Sequence, residues 1–549
     1  MFLLFQLAIF NMGWEGSMLG NGASSVLAPI IPEKTIHLEK SSSTNEKLAS
    51  VLGEPQYFVI SSKNDEVYKN VIKTLALIKR PYAAYTSLDQ LPQEISSDFV
   101  GLVICDANLD EIGNIDVLFS YAEKGKETIF ARRLTLSAKN YQRYFTRFGI
   151  VYSAGMYEHT GVDFLNKIFI SGLFFNANLT TLVNDVTLSG KCQVFAVCAD
   201  EKAPPYADKT PVIWRTYWSG GAMYFFNNDF MEDFYSVGMF IGVVSMDKDV
   251  FLHPIINASS VSLNGLPYLS NESDENMLKT YNRDTVQFQA DTIWTDLLSI
   301  TKQFNLKYTL YPKVGDGQAD AEDELLESIG KMVAVNNFEI GVYPSEKFKT
   351  VFPNYERAAS SYYITGDTKS RIVSDIRNFS YSSDGYVNLP IISSTTTGKR
   401  EKRAAGEEPD NLNRFRMFSF ASGLGYVSHS CDFTSIFSDK EGEDLWSGYK
   451  VNFIEEYYPV SQTYDYIDIT NASEMAERVR IFLDMVPEIN ILENEIIVKG
   501  QEMGETYYIM RTARRIIDTV NCSVINLKDD FYLVKVSRAD ALIYTKRGI

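Results

Sequence analysis

From residue 56 to about 147 the chain alternates short unbroken apolar runs with longer segments of helical period. Tyr57-Phe-Val-Ile60 and Phe99-Val-Gly-Leu-Val-Ile-Cys105 are the unbroken runs, as expected of strands covered on both faces. Asp65 to Lys79 repeats apolar residues at helical spacing through Val67, Val71, Ile72, Leu75 and Ile78. A second cycle follows: the short extended piece Tyr82–Tyr85, the Phe99–Cys105 run, a helix over Ile115 to Lys124 and a strand over Glu127 to Ala131. Strands alternating with helices predict a doubly wound parallel sheet, a Rossmann-like α/β domain over residues 49–147. The turn after the first strand reads Ser61-Ser62-Lys63-Asn64, with no glycine signature for phosphate, so a scaffold or docking role is expected and a dinucleotide site is not.

The period then shortens. Thr180–Leu188, Gln193–Val197, Pro211–Tyr217 and Gly221–Phe226 are runs bounded by Gly, Asn and Asp, which predicts a β-rich connector over residues 148–260. From 261 to 549 helix and strand alternate again. Ile293–Asn305 and Glu322–Ala334 read as helices, each followed by a strand, at Lys307–Tyr311 and Phe338–Tyr343. Such cycles predict a complete or partial β/α barrel. Residues 393–411 carry no apolar period and read as an exposed loop insertion whose basic run, Lys399-Arg400-Glu401-Lys402-Arg403, is solvated. Ser473–Leu483 and Arg511–Val520 are expected as the last helices, with closing strands near Phe531–Val536 and Ala541–Tyr544.

The first ten residues, Met1 to Phe10, are apolar without a preceding positive charge, too few to span a bilayer unaided. They read as part of a signal-anchor over residues 1–12, followed by a Ser-, Gly- and Pro-rich tether over 13–48. That reading places the bulk of the chain outside the cytoplasmic membrane. The charge balance, Lys+Arg 52 against Asp+Glu 70, excludes a nucleic-acid partner, since no basic stripe exists to replace counterions on phosphates. The 33 Tyr residues supply aromatic faces suited to sugars. Five cysteines without a CxxC pair argue against a structural zinc site. Cys192 and Cys198, six apart in an alternating run, are expected on one strand face as buried thiols, with a disulfide as the alternative.

The segment Phe251-Leu-His-Pro-Ile-Ile-Asn-Ala258, then Val261-Ser-Leu-Asn-Gly-Leu-Pro267, Phe338-Glu-Ile-Gly-Val342 and Val427-Ser-His-Ser-Cys-Asp-Phe433 with Trp446 downstream, resembles the bacterial domain of unknown function numbered 2194. The resemblance runs from about residue 50 to the C-terminus. Members are similar to extracytoplasmic proteins of pellicle-type exopolysaccharide operons, and their second half resembles a NodB-like polysaccharide deacetylase barrel. The resemblance implies an amino-sugar exopolysaccharide and membrane components of its export machinery as partners. For an active barrel it implies a divalent metal, zinc, held by an Asp/His/His set beside an Asp base.

Such chemistry needs imidazole and carboxylate ligands around an open position, with a base in reach of the metal-bound water. The chain holds four His: His37, His159, His253 and His429, with no HxxxH pair. Asn264 and Gly265 stand where the resemblance implies acids, and Tyr343 where it implies a His. The candidates that remain are His429 and Asp432 as metal ligands, Asp291 and Glu339 as catalytic acids, and Trp446, Tyr343 and Tyr449 as a sugar platform. Each has a plain structural alternative: a strand-end His, a helix N-cap at Asp291, a solvent-facing Glu339, core aromatics. A hydrolase using Ser or Cys has little support: there is no GxSxG, and Cys431, two residues from His429 on one strand face, is a poor geometry for a relayed triad. The expected function is polymer binding or guidance by a degenerate deacetylase-like barrel. Active N-deacetylation and a purely structural role in a surface complex are the alternatives.

Overall fold

The computed structural model describes residues 54–165, 168–170, 175–199, 209–269, 273–314, 335–336, 338–341, 370–383, 385–395, 412–438, 445–499, 504–538 and 540–547. The expected anchor and tether, the helix expected over 322–334, Tyr343 and most of the insertion expected over 393–411 lie outside these residues. No helix among the described residues is long and apolar enough to cross a membrane.

The first sheet has nine strands: β1 Tyr57–Ile60, β2 Tyr82–Tyr85, β3 Gly101–Ile104, β4 Glu127–Phe130, β5 Ile150–Phe164, β6 Phe175–Leu188, β7 Gln193–Cys198, β8 Pro211–Trp218 and β9 Gly221–Phe226. Their order is β2-β1-β3-β4-β9-β8-β7-β5-β6. The first five in that order are parallel, as expected from the apolar runs, and the rest antiparallel. Consecutive residues of the parallel strands bury into two cores on opposite faces: Val59, Val103 and Ile129 into one, Phe58, Ile60, Leu102 and Phe130 into the other. The strands expected to form a connector instead continue this sheet, because β9 pairs with β4 in the register Ile129↔Tyr224. The expected boundary near residue 148 therefore runs through one hydrogen-bonded layer.

Cys192 and Cys198 are both free thiols. They do not share a face. Cys198 is buried in one core and Cys192, just before β7, packs against the other; the consecutive residues Phe195 and Ala196 bury into the same core, where β7 carries a register shift between Val194 and Ala196. That bulge inverts the alternation that residue spacing assumes.

The second parallel sheet runs β13-β12-β11-β17-β16, with β10 Val250–Ile255 preceding it in the chain. Its strands are β11 Ala258–Leu269, β12 Tyr308–Val314, β13 Glu339–Ile340, β16 Ser393–Thr395 and β17 Tyr426–Asp432, while β14 Ser370–Val373 and β15 Val387–Pro390 form a separate parallel pair. A two-residue strand, Asp468–Ile469, pairs with the start of β11. The architecture is thus mixed α/β with parallel sheets, and among the described residues the second sheet is open and does not close into a barrel. The last sixty or so residues depart further from a barrel, forming two antiparallel four-stranded sheets, one of which takes β10 as its edge. The helix expected over Arg511–Val520 is a pair of strands, Thr506–Thr512 and Arg515–Val520. Ile516, Ile517, Thr519 and Val520 are β-branched and suit a pleated surface better than a helical one.

Two helices join the sheets. Val237–Val244 is buried on every side, and Leu412–Leu424 crosses it. At the crossing a Cβ added to Gly238 would collide with the Ser419 carbonyl, and one added to Gly423 would lie 2.9 Å from the Gly238 Cα. Only bare backbone permits that approach. The helix Ala472–Asp484, expected over 473–483, opens with a capping box in which Asn471 and Glu474 satisfy each other's backbone N–H groups.

Candidate functional site

In parallel sheets the loops beyond the carboxyl ends of the strands converge, and ligands bind there where the strand order reverses. The first sheet reverses between β1 and β3. That crevice is filled by the chain itself: the Asp106 carboxylate accepts the Ser62 backbone N–H at 2.8 Å and the Ser62 hydroxyl at 2.5 Å. Asp106 is buried, and Arg132 beside it is paired with Asp65 at 2.8 Å and Glu232 at 2.5 Å. The own-chain carboxylate stands where an anionic ligand would be held.

The second sheet holds His429, on the fully buried centre of β17. Its Nδ1 lies 2.7 Å from the Ser393 hydroxyl and its Nε2 3.0 Å from the Thr395 hydroxyl. Thr395 donates its single proton to Glu456 Oε2 at 2.6 Å, so toward the imidazole it can only accept. Nε2 therefore carries the proton, and Nδ1 accepts from Ser393. Burial lowers the imidazole pKa to about 3, so the ring is neutral, with both nitrogens engaged. Phe453 and Tyr457 enclose it, at ring distances of 5.4 and 6.0 Å. The tyrosine hydroxyl is held at 2.7 Å from Ser259.

Asp432 lies three residues along the strand, where alternation turns it to the opposite face. Its Oδ1 accepts the Thr434 N–H at 3.0 Å and hydroxyl at 2.6 Å, opening the short helix Thr434–Ser438. Asn264, midway along β11, donates from Nδ2 to the Ser430 hydroxyl at 2.7 Å, and its backbone carbonyl accepts the Phe433 N–H at 2.8 Å. Gly265 follows at φ +81, pressed against Thr434. A zinc ion needs a free imidazole lone pair and further ligands converging on one point. Here the Nδ1 lone pair is taken by Ser393, Asp432 faces away, and no group of three or more His, Cys, Asp or Glu converges among the described residues. The described residues do not fit the metal set of a deacetylase.

The other candidates are scattered. Glu339 is buried at the sheet edge, where its carboxylate takes the Ser473 N–H at 3.0 Å, the Ser473 hydroxyl and the Thr309 hydroxyl at 3.3 Å. Burial raises its pKa while those hydrogen bonds oppose the rise, and the group fastens the start of the helix Ala472–Asp484. Asp291 is exposed in a π-turn, Gln289–Ile293, and pairs with Arg283 at 3.2 Å. It is not a helix N-cap; that role belongs to Asp284, seven residues earlier. Trp446 and Tyr449 are buried on the helix Leu445–Thr463, with neither ring facing solvent. The Trp446 indole donates to Asp296 at 2.8 Å, and the Tyr449 hydroxyl donates to the Thr395 carbonyl at 2.6 Å. Tyr343 lies outside the described residues. Ser393, Thr395 and Glu456 were not singled out in the sequence. The only hint is the short hydroxyl-rich run Ser393-Ser-Thr395 after Ile391-Ile392, which is β16 and not the start of an exposed loop.

No curated protein matches the chain. Among solved structures it is similar to Agd3, a novel carbohydrate deacetylase, with 9% identity over 89% of this chain and 98% of that one at a TM-score of 0.54, which is a likeness of fold alone. A ThuA-like protein from Bacteroides uniformis aligns with 36% of this chain and 94% of its own at 13% identity and a TM-score of 0.28, too low to argue from. The sequence matches a family described as uncharacterised protein conserved in bacteria over residues 161–312 and 325–533, which is most of the chain. The chain belongs to that family, domain of unknown function 2194.

Proposed function

We propose that this protein binds or guides an amino-sugar polymer outside the cytoplasm, on a deacetylase-like fold whose metal chemistry has been lost. The observation that carries the reading is the state of His429: a neutral imidazole with its one lone pair given to Ser393, sealed from solvent. A deacetylase would direct that lone pair at a metal. In this reading the second parallel sheet is the remnant of a partial β/α barrel, and the protein serves exopolysaccharide assembly beside membrane components of an export machinery. The apolar start of the chain acts as its membrane anchor. The resemblance of the 251–267, 338–342 and 427–433 segments supports the polymer class, and the Agd3-like fold supports a carbohydrate ligand.

The test is to incubate the full chain with partially N-acetylated amino-sugar oligomers, with and without added zinc, cobalt or nickel. Acetate release and oligomer binding are measured together. Binding without release is expected. Metal-dependent release that disappears in His429→Ala would overturn the proposal and make the protein an active N-deacetylase. Neither binding nor release would leave a purely structural role.

A further inference from the structure

A cleft of about 560 Å³ opens between the helix Glu66–Leu77 of the first sheet and the start of β16 in the second. That size lies in the ~300–1,000 Å³ range of small-molecule sites. Ser393 lines it, the same residue whose hydroxyl donates to His429 Nδ1.

The charges around the cleft are mostly spent on one another. Glu66 and Asp375 both engage Arg377, and Glu232 engages Arg132. Two lining groups are left without an ion pair among the described residues, and they have opposite sign: Asp233 and Arg416. They are not paired with each other. Arg416 extends over the Tyr235 ring, 5.9 Å from its centroid, and its Nε is buried without a hydrogen-bond partner. Asp233 is exposed and hydrogen-bonds the Tyr235 hydroxyl, leaving acceptor capacity on its carboxylate. Half-buried Ile376 and Ile391 add apolar surface to the same lining.

A charged ligand would meet one of these groups as a partner and the other as a repulsion. A hydroxyl group both donates and accepts, and an acetamide does the same through its N–H and carbonyl, so a neutral sugar satisfies both groups at once. We propose that this cleft binds one or two units of a neutral hexose or N-acetylhexosamine, with Asp233 accepting and Arg416 donating hydrogen bonds, and with Ile376 and Ile391 against the ring's C–H face. This rests on the polymer-binding reading above and gives it a location away from the carboxyl edge of the second sheet.

The experiment is calorimetric titration of the full chain with three tetramers: N-acetylglucosamine (neutral), glucosamine (cationic) and galacturonate (anionic). The neutral tetramer is expected to bind best. Asp233→Asn and Arg416→Gln are each expected to weaken it about tenfold, the effect of one lost hydrogen bond to a charged group, with an unchanged melting temperature. Should either variant melt early, Ser394→Tyr, which fills the cleft from its rim, decides: lost binding supports the site and retained binding overturns it. Tight binding by the parent that all three variants keep would overturn this site while leaving polymer binding intact. Preference for a charged tetramer would overturn the neutral-sugar assignment. A parent that binds none of the three would defeat the polymer-binding reading itself.

Discussion

The two parallel sheets of this chain share an architecture and differ at their carboxyl edges. In the first, the crevice between β1 and β3 is filled by the Asp106 carboxylate, which takes both the backbone N–H and the hydroxyl of Ser62. In the second, neutral groups stand instead: the Asn264 amide on Ser430 toward the carboxyl end of β17 and, at the centre of that strand, a neutral His429 between Ser393 and Thr395. The first is a latch of charge on backbone. The second encloses a neutral histidine between hydroxyls. The difference teaches that fold alone does not say which edge works; the protonation and partners of single side chains do.

The comparison breaks most easily where the sheets are joined. Gly238→Val would drive a branched side chain into the Ser419 backbone and is expected to cost roughly 3 kcal/mol. A single, cooperative but lowered denaturant midpoint would show that both sheets depend on this crossing. Asp106→Ala removes two hydrogen bonds and leaves the Ser62 N–H without its acceptor, for an expected loss of about 2 kcal/mol. Loss confined to the first sheet in hydrogen exchange would confirm it as a local latch.

Acid sharpens the contrast next. The folded-state pKa values of His429, about 3, and His253, about 4, lie below the ordinary value near 6.5 because both rings are buried. Below about pH 6.5 the unfolded chain therefore takes up protons that the folded chain refuses. The stability these neutral rings contribute is complete above that pH and is lost as pH falls toward 3 or 4. Each is expected to cost about 1.4 kcal/mol at pH 5.5, one pH unit of linkage. Denaturant midpoints measured from pH 8 to 5 should fall in the parent and fall about half as far in His429→Gln, where His253 still refuses its proton. The smallest effect belongs to Asn264→Ala, which gives up one neutral hydrogen bond to Ser430, about 1 kcal/mol in thermal unfolding.

The strands of the parallel sheets were legible in the sequence because burial on both faces writes unbroken apolar runs such as Tyr57–Ile60. Pairing between distant strands leaves no local trace, so the β4–β9 junction and the membership of β5 to β9 in the first sheet could not be read. A break in the alternation of β7, which buries Phe195 and Ala196 into one core, defeated the spacing of Cys192 and Cys198. At the site, His429 and the substitution of Asn264 were visible. Ser393 and Thr395 were not, since a hydroxyl-rich triplet before a polar stretch reads as loop until the neighbouring strand is known. Trp446 and Tyr449 read as a sugar platform because aromatics near a loop look alike whether a neighbour covers them or not.

The β4–β9 pairing also bears on how the chain is made. During synthesis β1 to β4 emerge first and can pair as Tyr57↔Gly101 and Gly101↔Glu127, yet β4 keeps an open apolar edge until Gly221–Phe226 leaves the ribosome, nearly a hundred residues later. An unpaired strand waiting that long is the kind of edge on which nascent chains aggregate. The first sheet is therefore the part of this protein with the greatest need of a chaperone, and a ribosome-bound intermediate stalled between residues 131 and 221 is where one should be caught.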